Sequence, residues 1–251
     1  MSVPDPIAAG MIDLHAHLLP GVDDGCATIE ESLAAIADWA GQGVKEIVCT
    51  PHCGPNYFPQ NTPDRVSRAI VSLREEVEKA GLAVRLHDGG EVRITRHTVD
   101  WFSFWGLPTI GEGNWLLLDW WGREWPDFVP KTMGYLVENG YQPLFAHPER
   151  MDLDDATFAR AMRQTADVGA LLQGNLNSLS GGEGPIARDR SQALLRDGSY
   201  FALASDLHRP NQVAGRARGI AEAVALVGPE RCHQLLIEHP RRVVCLADRF
   251  A

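Results

Sequence analysis

Histidines and carboxylates recur at chosen points of this chain, and their spacing is that of metal ligands. The segment His15-Ala16-His17 places two imidazoles one residue apart. In an extended strand alternate side chains share a face, so both rings reach one ion. His52 follows Thr50-Pro51, Glu91 follows Gly89-Gly90, and Asp119 closes Trp115-Leu-Leu-Leu-Asp119. His147 opens His147-Pro-Glu-Arg150, and Asp206 and His208 lie in Ser205-Asp-Leu-His208. Each position has a plain alternative. A strand-end histidine satisfies a local hydrogen bond, Asp206 caps a following helix, and Asp23 and Asp24 serve as turn residues. The joint pattern argues otherwise, because five of the nine histidines (His15, His17, His52, His147 and His208) end apolar segments. The donors are nitrogen and oxygen with no thiolate. That excludes a four-cysteine structural zinc site and suits Mn²⁺, Fe²⁺ or catalytic Zn²⁺.

Such side chains meet only if the elements bearing them converge. Apolar runs predict strands over 11–15, 44–50, 82–87, 115–119, 143–146, 170–173 and 200–204. Amphipathic patterns predict helices over 63–80, 130–139, 158–168, 191–196 and 211–227. A further helix opens at Thr28, where Thr28-Ile-Glu-Glu31 reads as a capping box, and stops at Gly41 and Gly43. Gly181–Gly184 reads as a loop. Strand–helix alternation implies parallel strands with right-handed crossovers. About seven such units in 251 residues predict closure into a barrel, with the site where its C-terminal strand ends converge. The expected organisation is an N-terminal extension over 1–10 and one α/β domain, a distorted (β/α)7 TIM-like barrel, over 11–251.

Composition narrows the function. Apolar residues make up 45% and charged residues 22%, enough to bury a core. A net charge of −10 without a Lys/Arg run argues against nucleic-acid binding. No apolar run of about 18 residues predicts membrane insertion. The five scattered cysteines and the lack of a signal-peptide pattern point to reduced thiols in the cytoplasm. Nothing in the residues fixes an oligomeric state.

The segments Met11-Ile-Asp-Leu-His-Ala-His17, Gly21-Val-Asp-Asp-Gly25, Thr28-Ile-Glu-Glu-Ser-Leu33, Thr50-Pro-His52, Gly90-Glu91, His147-Pro-Glu-Arg150 and Ser205-Asp-Leu-His208 resemble the polymerase-and-histidinol-phosphatase (PHP) superfamily. Within it they resemble the CpsB/YwqE type of bacterial capsule-biosynthesis protein-tyrosine phosphatase. The resemblance implies a trinuclear centre, with Mn²⁺ preferred and Fe²⁺ or Zn²⁺ as alternatives. It places His15, His17, Glu91 and Asp206 on one ion, Glu91, Asp119 and His147 on a second, and Asp24, His52 and His208 on a third. Arg150 would grip the phosphate, with Glu91 and Asp206 beside the reacting centre. The implied reaction is attack on phosphorus by hydroxide drawn from metal-bound water. The implied substrate is a phosphotyrosine protein, a kinase of capsular or exopolysaccharide synthesis, with a small phosphomonoester such as histidinol phosphate as the alternative. One position departs: these phosphatases usually carry Glu where Asp119 stands, one methylene shorter, so direct ligation there is open.

Other readings fare less well. Cys53 after His52 resembles the start of a cysteine-phosphatase loop, but the arginine needed six positions on is replaced by Pro59. An amidohydrolase shares the paired histidines and a late aspartate, yet Glu91 and the His147–Arg150 segment fit the phosphatase better. A metal-binding regulatory module without turnover is the non-enzymatic alternative. Six of the seven tryptophans fall between Trp101 and Trp125, and packing is their expected role. Trp120 and Trp121 flank the site residue Asp119 and must point to opposite faces, so at most one lines the site.

Overall fold

Residues 10–245 are described by a computed structural model. Of the expected extension and barrel domain, residues 1–9 and 246–251 lie outside the described residues. Among the described residues nine strands carry the fold: β1 (Met11–Ala16), β2 (Val44–Cys49), β3 (His52–Cys53), β4 (Arg85–Asp88), β5 (Glu91–Arg93), β6 (Trp115–Asp119), β7 (Gln142–Ala146), β8 (Leu171–Asn175) and β9 (Tyr200–Ala204). Between and after them run α1 (Ile29–Ala40), α2 (Pro63–Lys79), α3 (Thr98–Trp105), α4 (Phe128–Glu138), α5 (Asp155–Asp167), α6 (Leu176–Leu179), α7 (Pro185–Arg196), α8 (Val213–His233) and α9 (His239–Val244).

Every paired strand is parallel, in two sheets ordered β1-β2-β4 and β3-β5-β6-β7-β8-β9. β3 continues the line of β2, and β5 that of β4, so nine strands occupy seven positions in chain order. The first and last positions meet through a parallel bridge between Ala16 and Leu207. Asp206 N–H donates to the His15 carbonyl, and His17 N–H to that of Leu207, each at 2.8 Å. This is the expected α/β order, with a short junction where a full ladder would otherwise close it.

The strand expected over 82–87 begins later and breaks at Gly89 and Gly90 before resuming at Glu91. A Cβ on Gly89 would sit 2.9 Å from Val48 Cγ1, and one on Gly90 2.8 Å from Cys53 Sγ. Only glycine lets the chain step inward there, and the step presents Glu91. Helix α1 starts as predicted: Thr28 Oγ1 accepts from Glu31 N–H at 3.3 Å. The reciprocal arm lands one residue early, with Glu31 Oε2 accepting from Ala27 N–H at 2.8 Å. Helix α8 breaks at Gly228, where φ is 81° before Pro229, matching the predicted end at 227. Helix α3 has no counterpart in the sequence reading, because its aromatic run shows little helical periodicity.

Strand residues alternate between two buried clusters. Ile12, Leu14, Val48, Leu117, Leu144 and Ala202 meet in a small central cluster. Leu116, Leu118, Phe145 and Leu203 pack outward with helix residues such as Ile36, Trp39 and Met133. Both faces are therefore apolar, as for parallel strands covered by helices, and each buried Leu or Ile contributes about 1.5–3 kcal/mol. Asp13 is a buried polar exception. Its carboxylate accepts from Trp39 Nε1 at 2.7 Å, from Ser205 N–H at 3.0 Å, and from the Ser205 hydroxyl. That ties β1 to α1 and to the segment after β9. No helix among the described residues is long and apolar enough to cross a membrane.

Candidate metal centre

The strand ends bring the predicted side chains to one place. His15 and His17 point the same way from the end of β1, with their Nε2 atoms 3.1 Å apart. Glu91 Oε2, at the start of β5, lies 3.4 Å from each of those nitrogens and 2.8 Å from His52 Nδ1. Its other oxygen stands 2.9 Å from His147 Nε2. Asp206 Oδ1 is 3.4 Å from His15 Nε2 and 3.3 Å from His17 Nε2. Asp24 Oδ1 lies 3.4 Å from His52 Nε2 and 3.5 Å from His208 Nε2. Three sets result, each with one donor atom per residue inside 4.8 Å: His17, Asp24, His52 and His208; His15, Glu91 and His147; His15, His17 and Asp206. Asp119 stands outside these sets. Its Oδ1 is 3.8 Å from His147 Nδ1, and Arg93 Nε is 3.6 Å from its Oδ2.

The outer hydrogen bonds fix what faces inward. The Gln173 amide donates to the Gly174 carbonyl at 2.7 Å, so its Oε1 is the acceptor facing His15 Nδ1 at 2.8 Å. Asp23 Oδ2 accepts from His17 Nδ1 at 2.7 Å. Both Nδ1 atoms therefore carry hydrogen, and in the neutral rings the Nε2 lone pairs face each other and two carboxylates. Such a buried gathering of lone pairs repels itself unless a cation or protons sit among it. Glu91 Oε2 and His52 Nδ1, though close, are misaligned, and both lack a hydrogen-bond partner, as does Asp119 Oδ2. Orphaned buried acceptors around one point, all nitrogen or oxygen, fit divalent cations.

The electrostatics agree. Burial alone raises the Asp206 and Glu91 carboxyls, but the surrounding imidazoles, with Arg150 at Asp206, outweigh it and hold both well below the carboxylate range. Burial and the neighbouring Glu91 charge push Asp119 up. Burial and Arg150 work against charge on His147, yet Glu91 and Asp119 prevail and raise it to about 9. The Cys53 thiol is fully buried, and burial pushes its pKa far above the range of a nucleophile.

Backbone strain gathers at the same place. Phe58, His147 and Asp206, with φ of 51°, 33° and 50°, are the non-glycine residues with positive φ among the described residues. Each costs on the order of 1–3 kcal/mol and persists only where the surroundings enforce it. A cleft of about 280 Å³ opens above the cluster, lined by Asp24, His52, Tyr57, Arg93, Asp119, Trp121, His147, Arg150, Asp206 and His208. Arg150 Nη1 donates to Asp206 Oδ2 at 2.6 Å, and its Nε lies 3.6 Å from Glu183.

Sequence reasoning missed five contributors. Asp23, read as a turn residue, orients His17 and also accepts from the His52 N–H at 2.8 Å and the Gly25 N–H at 2.9 Å. Gly25 lets that turn lie on β1, since a Cβ there would meet the His17 carbonyl at 2.1 Å. Gln173, the lone amide within the apolar part of β8, was a visible signal, because a polar side chain in such a strand needs a buried partner. Arg93 and Tyr57 carried none. Of the two tryptophans beside Asp119, Trp121 lines the cleft. Trp120 turns away onto Phe128, with ring centroids 5.4 Å apart.

Comparison with known proteins agrees with this geometry. The family described as capsular polysaccharide synthesis, CpsB/CapC, matches residues 11–245. The tyrosine-protein phosphatase CpsB of Streptococcus agalactiae serotype V is 26% identical over 246 residues, covering 93% of this chain and 98% of its own length. The tyrosine-protein phosphatase YwqE of Bacillus subtilis is 26% identical over 198 residues, covering 79% of this chain and 77% of its own. Among solved structures, one from work on YwqE of B. subtilis and CpsB of Streptococcus pneumoniae, described as metal-dependent tyrosine phosphatases, superposes with a TM-score of 0.82. It has 25% identity and covers 94% of this chain and 95% of that one.

Proposed function

This chain belongs to the CpsB/CapC family of capsular polysaccharide synthesis proteins, and from that premise we propose that it is a metal-dependent phosphatase acting on phosphotyrosine in protein. The observation that carries the proposal is the buried ring of inward lone pairs on His15, His17, Glu91 and Asp206, a donor set that fits divalent cations. His15, His17, Glu91 and Asp206 would hold one ion, Glu91 and His147, with Asp119 beside them, would hold a second, and Asp24, His52 and His208 would hold a third. Nitrogen and oxygen donors suit Mn²⁺, Fe²⁺ or Zn²⁺ alike; Mn²⁺ is placed first on the family resemblance. When bound, the ions lower the pKa of coordinated water toward neutrality and offset charge on the phosphoryl oxygens.

The residues of the chain do the rest. Gln173 and Asp23 hold His15 and His17 in the tautomer that turns Nε2 inward. Arg150, whose pKa Asp206 and Glu183 raise despite burial, remains a cation at the cleft wall and offers a planar fork to phosphate oxygens. A tyrosyl leaving group has a pKa of about 10, low enough to depart without a dedicated general acid. The physiological substrate proposed is a tyrosine-phosphorylated kinase of capsule or exopolysaccharide synthesis. A cytoplasmic setting is proposed from the odd number and wide scatter of the five cysteines in the sequence.

The test is phosphotyrosine-peptide hydrolysis before and after chelation, and in Arg150→Ala. Activity should vanish on chelation, return with Mn²⁺, and fall by about two orders of magnitude or more without Arg150. Full turnover by metal-free protein would refute the proposal. A preference for histidinol phosphate over the peptide would move the substrate to the small-molecule class.

A further inference from the structure

A tyrosyl phosphate and an alkyl phosphate present the same phosphoryl group. They differ only beyond the bridging oxygen, so a site that discriminates needs a surface for the ring. Trp121 offers one at the mouth of the cleft. It is 56% exposed, while its neighbour Trp120 packs inward and donates from Nε1 to the Glu124 carbonyl at 3.0 Å. A singly exposed aromatic is ordinary on a protein surface; what sets Trp121 apart is that it lines the cleft over the histidine cluster, where an indole offers a flat face for ring contact. The Arg150 and Arg93 guanidinium carbons each lie 5.7 Å from the Trp121 ring centroid. Arg93 also stacks on Tyr57, 3.7 Å from that ring's centre. Tyr57 in turn meets His52 edge-on at 4.8 Å. The strained Phe58 beside it, with φ of 51°, is what a loop enforced in one presentation would show. Trp121, Arg93 and Tyr57 thus form a continuous aromatic–cation wall running from solvent to the histidine cluster. The cleft, at about 280 Å³, falls just below the roughly 300–1,000 Å³ of typical ligand pockets, a size suited to one side chain.

We propose that Trp121 and Tyr57, joined by Arg93, determine specificity for an aromatic leaving group: the substrate ring lies against this wall while its phosphate faces Arg150 and the histidine–carboxylate cluster. The proposal rests on the phosphatase reading of the same site. Because aromatic contacts add about 0.5–1.5 kcal/mol beyond burial, the discrimination at stake is up to about tenfold.

The experiment compares wild-type, Trp121→Ala and Trp121→Phe holoenzymes on phenyl phosphate and glycerol 3-phosphate. In parallel, calorimetry measures binding of benzylphosphonate and methylphosphonate, which cannot be hydrolysed. Trp121→Ala should lower the aryl-to-alkyl ratio of kcat/KM by about two- to tenfold, mainly through KM. It should lower the benzyl-to-methyl binding ratio to match, and Trp121→Phe should keep most of both. Trp121 is a surface residue, so an unchanged melting curve is expected and separates this effect from misfolding. Wild-type turnover of both esters with ratios unmoved in Trp121→Ala would overturn the wall and leave the phosphatase reading standing. If wild type hydrolyses neither ester, binding still decides: a benzyl preference lost in Trp121→Ala supports the wall while the phosphatase reading falls, and no preference in wild type overturns the wall as well.

Discussion

Asp23→Asn tests whether the centre depends on residues that touch no ion. Asp23 takes three hydrogen bonds on two oxygens: His17 Nδ1 and the His52 N–H on Oδ2, at 2.7 and 2.8 Å, and the Gly25 N–H on Oδ1 at 2.9 Å. Asparagine keeps the shape but has one acceptor oxygen. With that oxygen toward His17 and His52, its amide confronts the Gly25 N–H, donor against donor. The stranded group costs about 1–3 kcal/mol. A second route gives the same scale. Burial raises the Asp23 carboxyl, but His17 and the two backbone N–H groups overcome this and bring it from 3.8 to about 2. That corresponds to about 2 kcal/mol in favour of the ionised fold. The folded pKa is depressed, so this stability is fully present above about pH 4 and is lost as pH falls toward about 2. At pH 7 the variant should lose it, and its deficit relative to wild type should shrink on acidification through that window. With His17 less firmly oriented, Mn²⁺ affinity should fall about 10–100-fold. Competition with a chelator reads the affinity, and urea denaturation at several pH values reads the stability. Unchanged Mn²⁺ affinity in a folded Asp23→Asn protein would refute the orienting role.

Two further perturbations separate structure from chemistry. Cys53→Ala should retain Mn²⁺-dependent turnover, because the buried thiol is held protonated; loss of a phosphoenzyme intermediate and of activity together would restore the cysteine mechanism. Asp13→Ala strands the buried Trp39 and Ser205 donors, so the denaturant midpoint should report about 3 kcal/mol or more of lost stability. A loss under about 1 kcal/mol would show that water replaces the carboxylate.

The sequence was informative wherever a property is local. Strand β6 (Trp115–Asp119) and strand β9 (Tyr200–Ala204) fall where their apolar runs lie. His15 and His17 share a face because strand periodicity demands it. Parallel order follows from strand–helix alternation, since a right-handed crossover is the economical way back to the sheet. What the sequence left open depends on distance through space. Whether Asp23 was a turn residue or the anchor of His17, and whether Gln173 faced core or site, turned on contacts between remote segments: His15 and Gln173 are 158 positions apart. The inward step at Gly89 and Gly90 arises from steric fit against Val48 and Cys53. The opposed fates of Trp120 and Trp121 arise from packing on Phe128 and on two arginines. Residue types set which chemistry is possible. The approach of strand ends, fixed by packing summed over the whole chain, decided which atoms share a cation and which side chains stand in their support.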